Sequence, residues 1–151
     1  MIVIPLSGGY DSRVIVSGLF HLEYKNVKCF SYGQKNNFES KISEMVADHL
    51  GYPWKFIELT HKIIQNDYVS DKHNDYLSFS NTFSSVQVEH EFSAVRLLKE
   101  SNWVSDDAIF INGMSGDFLT GSHIPKILQD RSYSLSGLQR KDQVLNALFD
   151  Q

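Results

Sequence analysis

The sequence predicts an α/β domain: a parallel sheet flanked by helices, with a helical C-terminal tail. Three observations predict it. Over about the first sixty residues, short apolar runs alternate with stretches of helical periodicity, in the order strand, helix, strand, helix, strand. That rhythm belongs to parallel strands joined by right-handed crossovers. A Gly-Gly turn joins the first strand to the first helix, and a second glycine-containing loop follows a strand about a hundred residues later. In open sheets of this kind ligands bind beyond the carboxyl ends of the strands, where both loops fall.

Ile2-Val3-Ile4-Pro5-Leu6 reads as a short strand buried on both faces, with Pro5, which lacks an N–H, near its end. Val14, Ile15, Gly18, Leu19 and Leu22 then recur at helical spacing, and Asp11 or Ser12 is placed to cap that helix. Residues 27–32 form the second strand, broken by Gly33. After a polar loop at 34–37, the apolar positions Phe38, Ile42, Met45, Val46 and Leu50 mark one face of a helix, with Gly51 as its C-cap. Residues 54–59 read as the third strand. The stretch 61–85 is polar and aromatic and predicts a short helix near 62–69 followed by a loop or short helices. Val88, Phe92, Val95 and Leu98 predict a helix over 84–100. Residues 108–111 are a fourth strand, 112–121 the loop at its carboxyl end, and 125–151 a helical tail with Leu138, Leu145, Leu148 and Phe149 on one face.

At 151 residues the chain is expected to be one domain, residues 1–151, with an α/β core over 1–123 and the tail over 124–151. The tail's apolar stripe calls for cover by this core, by a second copy of the chain in a homodimer, or by a continuation past Gln151. An apolar content of 42% suits a globular core of this size. Cys29 is the one cysteine, which excludes a disulfide framework and a CxxC zinc or redox pair. It lies in a strand-like run and reads as a buried, inert thiol. The longest apolar runs, about five residues, are far too short to span a membrane. Met1 opens onto a strand with no signal segment, so the expected location is cytoplasmic. The net charge of −4 argues against a nucleic-acid backbone as main partner.

The chain is organised around Ser7-Gly8-Gly9-Tyr10-Asp11-Ser12. Two adjacent glycines permit φ > 0 and close approach of another group. Consecutive main-chain N–H groups at such a turn make a concave anion site, and the following helix adds its own unpaired N–H groups and positive dipole end. Ser7 and Ser12 add hydroxyls. A carboxylate at Asp11 would repel a phosphate unless a Mg²⁺ ion bridges the two. The motif is neither a Walker A loop nor the dinucleotide G-x-G-x-x-G.

With Leu6 before it and Arg13 after it, this hexapeptide resembles the pyrophosphatase loop (PP-loop) of the N-type ATP pyrophosphatases. It looks most like the synthetase domain of asparagine synthetase-like proteins. The resemblance implies an adenine nucleotide α-hydrolase-like, Rossmann-like sandwich that binds ATP with Mg²⁺ and cleaves it to AMP and pyrophosphate. A second stretch, Asn112-Gly113-Met114-Ser115-Gly116-Asp117-Phe118-Leu119-Thr120-Gly121, resembles the family's S-G-E-G-x-D-E-L-F-G-G, also after a strand. By that likeness Asp117 falls on the second Mg²⁺ aspartate, beside Asp11. Gly113 and Gly121 fall on glycines, Asn112 on a serine whose neighbourhood contacts the nucleotide, and Tyr32 on a position whose backbone flanks adenine. Glu39, Val46, Ala47, Leu50 and Gly51 match a further helical stretch. The nucleotide set implied is Leu6, Ser7, Gly8, Gly9, Asp11, Ser12, Tyr32, Asn112 and Gly113, and the metal set Asp11 and Asp117.

The resemblance spans residues 2 to about 122 and has clear departures. Met114 stands where the family has a glutamate near the reacting carboxylate, and Phe118 where it has another. The family's lysine matches no residue before Gln151. No glutaminase domain and no cysteine after Met1 stand at the amino end. The implied activity is adenylation of a small-molecule carboxylate, then amide formation with ammonia or with nitrogen from a separate glutaminase. Two other readings stay open: a degenerate or truncated nucleotide-binding module without activity of its own, and another PP-loop enzyme, such as a tRNA-modifying one.

Among the remaining residues, Glu89-His90-Glu91 reads as a solvated helix face. Tyr68, Tyr76, Phe79 and Phe83 read as core packing rather than a substrate pocket. Lys126 and Arg131 read as surface charge. Arg13 is suited equally to a phosphate or an acidic neighbour.

Overall fold

The structure, a computed structural model, describes residues 1–83 and 88–114. The chain gathers into two compact units, Met1–Gly113 and Met114–Gln151. Every element described here belongs to the first. The expected tail and Asp117, Phe118, Gly121, Lys126 and Arg131 lie outside the described residues.

The order is β1 (Ile2–Pro5), α1 (Tyr10–His21), β2 (Val27–Gly33), α2 (Phe38–Leu50), β3 (Trp54–Glu58), α3 (His61–Tyr68), α4 (Asp71–Ser80), α5 (Phe92–Glu100) and β4 (Ile109–Phe110). The four strands form one parallel sheet in the order β3-β2-β1-β4. This is the α/β Rossmann-like architecture that the alternating pattern predicts.

Period-two alternation sends successive side chains to opposite faces, and both faces are covered. On one, Val3, Phe30 and Ile57 meet Ala94 and Leu98 of α5. On the other, Ile4, Val27 and Cys29 meet Val16 of α1 and Ala47 of α2. Burial pushes the Cys29 thiol up to about 12, which makes it inert.

Caps explain several boundaries. Asn37 accepts from Ser40 N (2.7 Å) and starts α2, while Gly51 ends it in the left-handed region, φ 72°. Thr60 and Ser70 cap α3 and α4 in the same way. The first helix differs from expectation. It begins at Tyr10 with Gly9 as N-cap and no side-chain cap, so neither Asp11 nor Ser12 plays that part. Ser12 is turned instead to the loop that precedes it.

Among the described residues, the stretch 61–83 holds two helices, α3 and α4, and α5 starts only at Phe92. Glu89, expected on a solvated helix face, precedes α5 and bonds the buried His73 (2.9 Å). The His73 ring lies between Tyr68 (4.8 Å) and Phe92 (5.1 Å). Tyr76 packs on Phe92, but Phe79 and Phe83 are over nine-tenths exposed, so core packing is not their role.

Charge ties these helices together. Arg96 of α5 holds Asp67 of α3 through Nη2 (3.1 Å), with Nε at 2.7 Å but out of line for a hydrogen bond. Arg96 also reaches Glu100 (2.6 Å), which Lys72 of α4 meets at 2.9 Å. Hydrogen bonds from Lys72 and then Arg96 hold the Glu100 carboxyl below the usual carboxylate range.

Candidate functional site

The strand order makes β1 the switch point, with β2 and β3 on one side and β4 on the other. The crevice beyond such a switch point is where open α/β sheets bind ligands. The chain leaves β1 into the 7–12 loop and α1. It leaves β4 through Ile111, whose N–H donates to Val3 O (3.0 Å), and arrives at Asn112 and Gly113.

Leu6 is buried, so its side chain belongs to the core and only its main chain serves the loop. Ser7 N–H donates to Ser12 Oγ (3.1 Å), the two hydroxyls lie 3.1 Å apart, and Gly9 N–H donates to Ser7 Oγ (3.1 Å). Two of the N–H groups of the concavity are therefore held by hydroxyl oxygens, which a phosphate oxygen would replace in kind. Arg13 Nε donates to Gly9 O (3.0 Å), and its guanidinium lies over the Tyr10 ring. Its tie is thus to the loop itself rather than to an acidic neighbour.

The glycines work by closeness rather than by positive φ. Neither Gly8 nor Gly9 has one; Gly9 sits at φ −73°. Gly8 packs on α2, where an added Cβ would lie 3.4 Å from Ile42 Cδ1 and 3.7 Å from Glu39 Cα. A Cβ on Gly9 would meet Ser7 Oγ alone, at 3.3 Å. Gly113 is the tightest: its Cβ would lie 2.9 Å from both Asp11 Cβ and Ser12 N. The loop after β4 is thus pressed onto the first turn of α1, and the topology brings Asp11, Ser12 and Gly113 together. Asn112 is exposed beside them.

Tyr32 lies at the carboxyl end of β2, stacked on Phe30 (6.1 Å). A cavity of about 510 Å³ opens there, lined by Tyr32, Gly33, Lys35, Glu58, Thr60 and His90 among others. Burial, then Glu91, then Glu39 push the Tyr32 phenol up. Burial likewise pushes the Glu91 carboxyl above its usual range, with His90 pulling the other way. Folded Glu91 therefore keeps its proton to higher pH than unfolded Glu91. Its contribution is complete below the unfolded carboxyl's ordinary range and is lost as pH rises through the folded value. Glu91→Gln cannot ionise, so it should raise Tm by a few degrees at pH 8, with the gain vanishing toward pH 4. Thermal unfolding across that range checks this; a gain that does not change with pH would contradict it.

Among the described residues no three His, Cys, Asp or Glu side chains gather to hold a metal by themselves. Asp11 offers one carboxylate at the loop, which suits an ion carried in on phosphate oxygens. No helix among the described residues is long and apolar enough to cross a membrane.

The family model described as "Queuosine biosynthesis protein QueC" matches residues 1–96, from β1 into α5. The chain belongs to that family. This places the QueC-type chain among the N-type PP-loop proteins, the superfamily that the 7–12 loop resembles. A search of curated proteins gave no match. Among solved structures, a predicted subunit of tRNA methyltransferase from Methanocaldococcus jannaschii is similar at 18% identity and a TM-score of 0.43. The alignment covers 95% of this chain and 63% of that one, so the QueC-type chain spans less than two thirds of its length.

Proposed function

We propose that this QueC-family chain binds ATP with Mg²⁺ through the 7–12 loop and uses it to activate a carboxylate on the way to a modified tRNA nucleoside. The observation that carries the reading is the closure of Gly113 onto Asp11 and Ser12 at the switch point. It puts the loop after β4 against the segment that carries a hydroxyl-lined anion concavity, a helix N-terminus and a carboxylate. Family membership, with its name from queuosine biosynthesis, supports the pathway class. Ser7, Gly8, Gly9 and Ser12 would hold the phosphates, Asn112 and Gly113 would lie against the nucleotide, and the Tyr32 backbone would flank adenine; Leu6, whose N–H donates to Phe30 O, would only anchor the loop. Asp11 would hold Mg²⁺; a role for Asp117 beside it rests on the motif resemblance alone.

The proposed reaction has two steps. A carboxylate oxygen would attack the α-phosphorus, the bond from that phosphorus to the bridging oxygen would break, and pyrophosphate would leave into the N–H cradle; a Mg²⁺ ion held by Asp11 would supply charge neutralisation there. An amine nitrogen then attacks the acyl carbon, the bond to AMP breaks, and the nitrogen sheds a proton. The motif resemblance to asparagine synthetase-like proteins, whose reaction has the same two steps, supports this reading. Ammonia or a glutaminase partner would supply the nitrogen, and the acceptor would be a small carboxylic acid.

Pyrophosphate release from ATP, measured with Mg²⁺, ammonia and a panel of aliphatic and heterocyclic carboxylic acids, tests the reading. Release that depends on one acid is expected. Calorimetry should show Mg²⁺-dependent ATP binding that Asp11→Ala weakens by about tenfold, roughly 1.4 kcal/mol. ATP affinity that ignores both Mg²⁺ and Asp11→Ala would remove the metal from the site. Tight binding with no release for any acid would reduce the chain to a nucleotide-binding module.

A further inference from the structure

The last carbonyl before the loop, Leu6 O, has two buried hydroxyls on it. Ser31 Oγ of β2 donates to it at 2.7 Å, and Ser43 Oγ of α2 at 2.7 Å. A carbonyl oxygen has two lone pairs, and both are met here. Ser31 is in turn held by Trp54 Nε1–H (3.2 Å). Ser43 shares its one proton between Leu6 O and Glu39 O (2.8 Å). Ser43 is fully buried and Ser31 nearly so. A buried hydroxyl is costly unless bonded, and an apolar side chain of similar size would fill either place. The bond to Leu6 O is the one that these two hydroxyls have in common.

We infer that Ser31 and Ser43 are positioning residues for the phosphate-binding loop, acting through the Leu6–Ser7 peptide. That peptide is planar and trans, so its C=O and the following N–H point in opposite directions. Fixing Leu6 O from β2 and α2 fixes the Ser7 N–H on the other side, where it meets Ser12 Oγ. The same two elements set the rest of the loop. Gly8 lies against Glu39 and Ile42, in the turn of α2 that carries Ser43. The anion concavity is thereby built before any ligand arrives, which lowers the ordering cost of binding. For its effect on ligand affinity this inference rests on the ATP reading above; for its effect on the loop it stands by itself.

The test uses the full chain with Ser31→Ala, Ser43→Ala and the double variant. Ser70→Ala, which uncaps α4 away from the loop, serves as a control of similar destabilisation. Amide NMR of the ligand-free proteins reads the loop, and calorimetry with Mg²⁺·ATP and with inorganic pyrophosphate reads the site. The Ser7 and Gly9 amide signals should shift in each serine variant and stay put in Ser70→Ala. Affinity should fall about fivefold for each single variant and more than tenfold for the double, as expected for one and then two lost hydrogen bonds. Ser31→Thr, which keeps a hydroxyl, should restore most of the affinity. If the double variant does not fold, the single variants, each retaining one bond to Leu6 O, carry the same comparison. Unmoved Ser7 and Gly9 signals with affinity within twofold of wild type would overturn the inference. If wild type binds neither ligand but those signals still move, the ATP reading fails and the positioning role holds.

Discussion

Gly113→Val should raise the Kd for ATP by at least about 100-fold, close to 3 kcal/mol of lost binding. The obstacle is backbone. An added Cβ lies 2.9 Å from Ser12 N and 3.2 Å from Asp11 C, atoms of the first turn of α1 that cannot swing aside as a side chain end would. Either the amino end of α1 moves or the chain after β4 is expelled, and both open the crevice. Gly113→Ala meets the same atoms and should cost about tenfold. Overpacking of this kind also costs about 1–3 kcal/mol of stability, so thermal unfolding must accompany the calorimetry. Gly9→Val is the informative contrast. It sits at ordinary φ and meets one serine hydroxyl, so it should weaken binding less than Gly113→Val. Unchanged ATP affinity in Gly113→Val would detach the loop after β4 from the site.

Arg96→Leu should destabilise the fold by about 3 kcal/mol. Asp67 is nine-tenths buried, and Arg96 is its cation, held by the 3.1 Å bond and the 2.7 Å contact. Removing Arg96 leaves a buried carboxylate without compensation, which costs more than the pair contributes. The same change frees Glu100 from one of its two partners, so α3, α4 and α5 lose their common tie. Arg96→Leu combined with Asp67→Leu removes both charges and should recover much of the loss. Chemical denaturation of the two variants checks this; a single variant within about 1 kcal/mol of wild type would show that the pair is solvated.

The parts of the fold legible in the sequence are those where one residue type has one physical reason to be present. The β1 run, the Gly-Gly turn and the α2 face closed by Gly51 fall where the pattern puts them. Helix α4 was harder to see because its buried residue is a histidine rather than an aliphatic side chain. His73 is made tolerable by Glu89, across a sequence gap that no local periodicity spans. Val88 matched the α5 period by coincidence, since α5 begins four residues later. The start of α1 is not legible, because Ser12 and Asp11 are good cap residues, yet the loop takes Ser12. At the site, the 7–12 loop was legible as a motif. Ser31 and Ser43 were not, because a serine on a buried face looks like a small core filler until its acceptor is known.

The placement of Gly113 has a consequence for biogenesis. During synthesis the loop and the three strands β3-β2-β1 emerge first, and Gly113 follows more than a hundred residues behind Gly9. A nascent chain can assemble the β1–β3 half of the sheet, with its helices, well before β4 is made. The crevice is completed only when β4 adds to the free edge of β1. Ribosome-bound chains stopped short of β4 would thus carry the loop without its closing glycine.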